Sequence, residues 1–181
     1  FRDNCGFGLV AHIEGQVSHD LLQTAIKSLT CMTHRGGIAA DGVTGDGCGL
    51  LMQKPDMFLR AVANEQFNAE LSENYGIGMV FFSQVAKKAD YARNILDHEI
   101  KAQGLDVIGW RKVPYDSSFC GRMALECMPD IEQVFVNAGG MDKEQLAVKL
   151  FIARRKAENQ LVEDEDFYIC SLSASVLSYK G

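Results

Sequence analysis

With 181 residues, 47% of them hydrophobic, and a formal net charge of -6, the chain can bury one sizeable core and presents no basic stripe to a nucleic acid. Apolar runs such as Gly76–Phe82 are too short to cross a bilayer, and no charged-then-apolar leader opens the sequence, so no membrane partner is expected either. The six cysteines are scattered, without C-x-x-C spacing, and only Cys31 and His34 lie close as a Cys/His pair; they read as reduced thiols of a cytoplasmic protein, with no metal site within this segment.

The first element is the stretch Arg2–Ile13. Phe7, Leu9 and Ala11 alternate, closed by Ile13 and the turn residues Glu14-Gly15, which is the period of a strand with one buried face. Cys5 stands at its head. If the chain were cut between Asn4 and Cys5, thiol and α-amino group would sit on adjacent carbons. The amine, with a reference pKa near ~8, would then serve as the thiol's own base. On strand and spacing alone the preferred reading of Cys5 is an ordinary buried small residue.

Ser18 is placed as the N-cap of a helix through Leu21, Leu22, Ala25, Ile26, Leu29 and Met32, stopped by Gly36-Gly37. Residues Ala40–Gly49 hold four glycines and two aspartates in ten positions, a tight loop that brings backbone close to a ligand or a neighbouring strand. It matches neither a phosphate loop nor an EF-hand. Asp46-Gly47 reads as a hairpin turn into a strand over Gly49–Met52.

A short helix starts at Pro55-Asp56, and Glu65–Asn74 reads as a polar return to the surface. Ile77–Phe82 is apolar at successive positions, a strand buried on both faces. A helix over Ala89–Gln103 follows, ended by Gly104, with His98 on its surface. Leu105–Val113, Met123–Leu125 and Ile131–Val136 read as strands. A long helix capped near Asp142 runs to about Gln160, its Lys149, Arg154, Arg155 and Lys156 forming a solvated face rather than an anion site. Phe167–Ser173 is a strand continuing into Ser178–Gly181. The pattern as a whole is α+β, with helices outside two stacked, largely antiparallel sheets.

Asn4–Ala11, His34-Arg35-Gly36-Gly37, Asp41-Gly42 and Thr44–Leu51, with Gly76–Phe82, Tyr168–Ser173 and Tyr179-Lys180-Gly181, together resemble the start of the large subunit of bacterial glutamate synthase, in order and in spacing. That resemblance implies an incomplete N-terminal part, residues 5–181, of a class II glutamine amidotransferase domain with the four-layer αββα sandwich of N-terminal nucleophile hydrolases. Residues 1–4 would be a propeptide remnant and Cys5 the catalytic nucleophile. Arg35 would line the glutamine site, its alternative role being a structural salt bridge at a helix end. The family's oxyanion motif, an Asn-Gly pair preceded by an Arg, is not matched by Asn137-Ala138-Gly139 and is expected beyond Gly181.

For the complete enzyme the resemblance implies ammonia channelled to 2-oxoglutarate for glutamate synthesis. It also implies FMN and an iron-sulfur cluster in later domains, with FAD and NADPH on a smaller partner subunit. No cofactor is expected in these residues. Two other readings stay open at this level: an amidotransferase feeding a different biosynthesis, and a silent scaffold in which Cys5 is structural.

Overall fold

A computed structural model describes residues 6–32, 37–45 and 47–180. The chain forms two compact units. One spans Phe1–Leu50, Asp116–Cys127 and Lys180–Gly181, the other Leu51–Tyr115 with Met128–Tyr179.

The second unit is built on a four-stranded antiparallel sheet of order β3-β4-β2-β5. Its strands are β2 (Tyr75–Phe82), β3 (Asp106–Lys112), β4 (Asp130–Asn137) and β5 (Tyr168–Ser173). β2 is central because nearly every residue in it is buried on one face or the other. Val80 and Phe82 face one cluster, Tyr75, Ile77 and Met79 the opposite one. Two glycines make room for that double burial. A Cβ on Gly76 would lie 2.7 Å from Leu150 Cδ1, and one on Gly78 2.6 Å from Val134 Cγ1.

On the first face lie α3 (Ala86–Ala102) and α5 (Lys143–Gln160), through Ala89, Ala92, Leu96 and Ile100 and through Leu146, Leu150, Ala153 and Ala157. Both stripes have the 3.6-residue period that turns one side of a helix inward. Asp142 starts α5 by accepting from Gln145 N at 2.8 Å. On the second face α2 (Asp56–Phe67) contributes Leu59, Val62 and Ala63. Beside them lies Leu177 of β6 (Val176–Lys180), which pairs with β1 (Gly49–Gln53) in a two-stranded sheet. Helices, sheet, then second sheet with α2 is the α+β layering expected of the sandwich.

Two bulges set which side chains face which layer. One falls between Val107 and Gly109, so Val107 and Trp110 both reach the α3 side while Ile108 turns to the other. The second shifts the register so that Met79 lies opposite Ser171 and Val80 opposite Ile169, and Ile169 and Leu172 share a face. Arg93 joins α3 to the sheet through Glu132, at 3.0 and 2.8 Å, and Trp110 donates to Asp97 at 2.8 Å.

The first unit differs. It holds α1 (His19–Thr30), a 3-10 turn Ser117–Phe119 and α4 (Arg122–Glu126). Of its described residues Gly121 alone is buried.

Several expectations are corrected. Residues 6–12 are irregular rather than a buried strand, with Phe7 97% and Leu9 91% exposed. Alternation supplies a face, but a strand also needs a neighbour for its N–H and C=O groups, and among the described residues none pairs with this one. α1 ends at Thr30, before the glycines. The hydroxyls of Thr24, Ser28 and Thr30 bond back to helix carbonyls at 2.7–2.8 Å, which weakens continuation.

Met123–Leu125 is helical, because Met, Ala, Leu and Glu are strong helix formers. α2 runs on to Phe67, closed by Asn68 at φ 49°, so the polar return is only 68–74. The last strand is broken in two, since Ser173 Oγ accepts from Ser175 N and Val176 N at 3.1 and 3.3 Å and turns the chain into the second sheet.

Candidate functional site

Cys5 and Arg35, the two residues singled out for the site, lie outside the described residues, as does Asp46 of the expected hairpin turn. The segments that carry them are described on either side. Gly6–Ile13 leads away from Cys5 as open chain, and a Cβ on Gly8 would meet Met32 Cε at 3.5 Å. Ser18 Oγ then accepts from Leu21 N at 3.3 Å and starts α1, whose apolar residues Leu21, Leu22, Ala25 and Leu29 are half-buried.

Downstream of Arg35 the glycine-rich loop has a definite shape. Ile38 and Gly45 form an antiparallel bridge. Inside it Ala39 N donates to Thr44 O at 2.8 Å and Gly42 N to Ala39 O at 3.0 Å, with Gly42 at φ 72°. That left-handed backbone is what selects glycine there. This hairpin turns at Asp41-Gly42.

Asp41 is the hub of this loop. Its Oδ1 accepts from Val43 N at 3.0 Å and Thr44 N at 2.8 Å, its Oδ2 from Thr44 Oγ1 at 2.6 Å and from Met123 N at 3.1 Å. The Thr44 hydroxyl leads these donors in holding the Asp41 carboxyl well below the usual carboxylate range. The Met123 bond is a helix cap supplied from 82 residues away in sequence. Asp41-Gly-x-Thr is an Asx-turn signal visible in the sequence, but nothing local announces its partner at Met123.

Other marked residues are accounted for structurally. Asn137 Oδ1 accepts from Ser72 N at 2.9 Å and its Nδ2 donates to Glu70 O at 3.2 Å, so it braces the 68–74 loop. The α5 cations are paired: Arg154 and Arg155 each lie 2.7 Å from Glu158, Lys156 lies 3.9 Å from Glu99, and Lys149 donates to Gln103 O. His98 is exposed on α3. Cys31, Cys48, Cys120 and Cys127 are free, exposed thiols, and the Cys170 thiol donates to Ser178 O at 3.8 Å. Among the described residues no three His, Cys, Asp or Glu side chains converge as a metal-ligand set, and no helix is long and apolar enough to cross a membrane.

Comparison with known proteins adds the missing context. Residues 5–181 match the family model of class II glutamine amidotransferases, with Cys5 as the first matched residue. The chain is 40% identical over 183 residues to the NADPH glutamate synthase large chain of Bacillus subtilis, and 36% identical over 184 residues to that of Azospirillum brasilense. It is 35% identical over 186 residues to the ferredoxin-dependent glutamate synthase of Pyropia yezoensis. Each match takes in 99% of this chain and 12% of the relative.

Proposed function

Because this chain belongs to the class II glutamine amidotransferases, we propose that it is the glutaminase part of a glutamate synthase large subunit. The observation that carries the reading is the family match opening on Cys5, together with near-complete coverage of the chain by glutamate synthase relatives.

In this reading residues 1–4 are removed and Cys5 becomes the N-terminal residue. Its free amine takes the thiol proton, and the thiolate attacks the side-chain amide carbon of glutamine. A C–S bond forms as the carbonyl π pair moves to oxygen. Collapse of that oxyanion breaks the C–N bond, and the proton held on the amine leaves with ammonia. Water then adds to the γ-glutamyl thioester and releases glutamate, returning a proton to the thiolate. An amidated nitrogen, as in the unprocessed chain, has no lone pair to act as base. Arg35 lines the site beside Cys5 and offers a fixed cationic fork to the substrate.

In the complete enzyme the ammonia passes to 2-oxoglutarate, and reduction yields a second glutamate. FMN and the iron-sulfur cluster belong to other domains of the polypeptide, and FAD and NADPH to a smaller subunit. The assembly is cytoplasmic.

The test is Cys5→Ala in the mature full-length enzyme. Glutamine turnover falls by at least about 10³-fold, as when a covalent nucleophile is removed, while the protein stays folded by circular dichroism. In the wild type, an electrophilic glutamine analogue adds once, at a chain beginning with Cys5, by intact mass. Retained turnover in Cys5→Ala would take the role from Cys5. Glutaminase activity without reductive amination of 2-oxoglutarate would reassign the protein to another class II amidotransferase.

A further inference from the structure

α5 is apolar on two opposite sides. Leu146, Leu150, Ala153 and Ala157 face the sheet. Val148, Phe151 and Ile152 recur at i, i+3 and i+4 on the other side. Val148 and Ile152 each follow a core leucine by two residues, about half a turn at ~100° per residue. These three side chains are 59%, 62% and 36% exposed. Glu144, one turn before Val148, and Arg155, one turn after Phe151, are exposed at the two ends of the stripe.

α3 packs on the same face of the sheet and has a different outer side. Its outward positions Lys87, Asp90, Asn94, His98 and Lys101 are charged or polar, with Tyr91 the one aromatic among them. That is the pattern of a helix between a core and water. A helix apolar on both sides is one that is covered on both sides.

We propose that the outer face of α5 is the seat of another domain of the same polypeptide, which lays an apolar surface over Val148, Phe151 and Ile152 with Glu144 and Arg155 at the polar rim. This rests on the reading of the chain as part of a glutamate synthase large subunit and adds the face on which the rest of that subunit docks. The relatives have chain to supply the cover, since the match accounts for only 12% of each. A second copy suits the patch less well. Three side chains fall well short of the ~800 Å² that each partner brings to a standard interface between separate proteins. A domain on the same chain needs less, because the connection holds it at a high effective concentration.

The experiment uses the full-length enzyme. Val148→Cys, Phe151→Cys and, as the reference on α3, Asn94→Cys are treated with N-ethylmaleimide under native conditions, and each position is followed by peptide mass spectrometry. The two α5 thiols react at least about tenfold more slowly than the α3 thiol, as at a site reached only through local opening, and the three rates converge in urea. Val148→Cys carries the comparison by itself if Phe151→Cys does not fold. p-Benzoylphenylalanine placed at Phe151 cross-links on irradiation to peptides of the same chain outside residues 1–181, at unchanged chain mass on a denaturing gel. Labelling of both α5 thiols as fast as the α3 thiol overturns the proposal. So does a cross-linked band of doubled mass, which gives the face to a second copy, or a set of adducts confined to residues 1–181. Absence of glutamine turnover in the wild type overturns the glutaminase reading but not the covered face, which labelling and cross-linking decide.

Discussion

Leu51–Tyr115 with Met128–Tyr179 closes its core on both faces of one sheet, whereas Phe1–Leu50 with Asp116–Cys127 buries only Gly121 among its described residues. The segments assigned to the chemistry belong to the second of these. Phe7, Leu9, Ile13, Val17 and Phe119 each stand more than four-fifths exposed there, while Tyr75, Ile77, Phe82 and Phe135 are fully buried in the other. Buried packing and the segments assigned to the chemistry thus fall on different stretches of chain, as loops carry function more often than packed elements do. The joints differ in kind as well: packed side chains in the dense unit, hydrogen bonds around one carboxylate in the open one.

The largest break in that division is expected in the dense unit. Leu150→Ala leaves a cavity between α5 and β2 and costs about 2–5 kcal/mol. Gly76→Ala drives a methyl into the Leu150 side chain, 2.7 Å from Cδ1, and costs about 1–3 kcal/mol by overpacking. The two are coupled, because the truncated Leu150 leaves room for the new methyl. The double variant should lose less than the two single losses combined by urea unfolding. Labelling of Cys5 per folded molecule should not change in any of them. Additive losses would mean that Gly76 is set by strand backbone rather than by the helix above it.

A smaller test puts one chemistry in both units. Ser18 and Asp142 each cap a helix through a backbone N–H, at 3.3 and 2.8 Å. Each change to Ala costs about 1 kcal/mol. The cost of Asp142→Ala should appear in global unfolding, since α5 covers the sheet. That of Ser18→Ala should appear as faster hydrogen exchange at the start of α1, with the global midpoint unmoved. Equal shifts of the midpoint would show that α1 unfolds together with the sheet.

What the sequence made legible follows the same line. Where structure rests on local chemistry or on periodicity it could be read: the Ser18 and Asp142 caps, the two-sided burial of β2, the amphipathic faces of α3 and α5. Where it rests on a distant partner it could not. Phe7–Ile13 alternates like a strand but lacks a paired neighbour among the described residues. Met123–Leu125 is too short for its period to decide, and its helix is capped from Asp41. The bulges at Val107–Gly109 and opposite Met79-Val80 reverse the alternation within single strands. Cys5 is legible from its place at the head of an alternating stretch and from family resemblance, Arg35 from resemblance alone, and both lie outside the described residues.

The smallest effect contrasts two displaced charges. In the open unit hydrogen bonds lower the Asp41 carboxyl. Its contribution is therefore present above the ordinary carboxylate range and is lost only as pH falls through the lowered folded value. In the dense unit burial lowers Lys54 to about 8, with Arg60 and Lys143 pushing the same way and Asp56 opposing. Its ammonium lies 3.3 Å from the centroid of the Tyr75 ring and donates to Tyr75 O at 2.9 Å.

For a lysine this sign means a cost. Below about pH 8 folded and unfolded chains are both protonated and the cost is carried in full. Between there and the reference value of ~10.4 the folded chain gives up its proton first. The unfolded state then binds more protons, and stability rises with pH. Lys54 is only half-buried, so water screening holds the gain to about 1 kcal/mol or less. Urea unfolding of Lys54→Met across that window should show a shallower rise than the wild type, with the two curves parallel below it. Identical slopes would mean that the ring face and the Tyr75 carbonyl offset the desolvation of the ammonium, leaving its pKa where a solvated lysine has it.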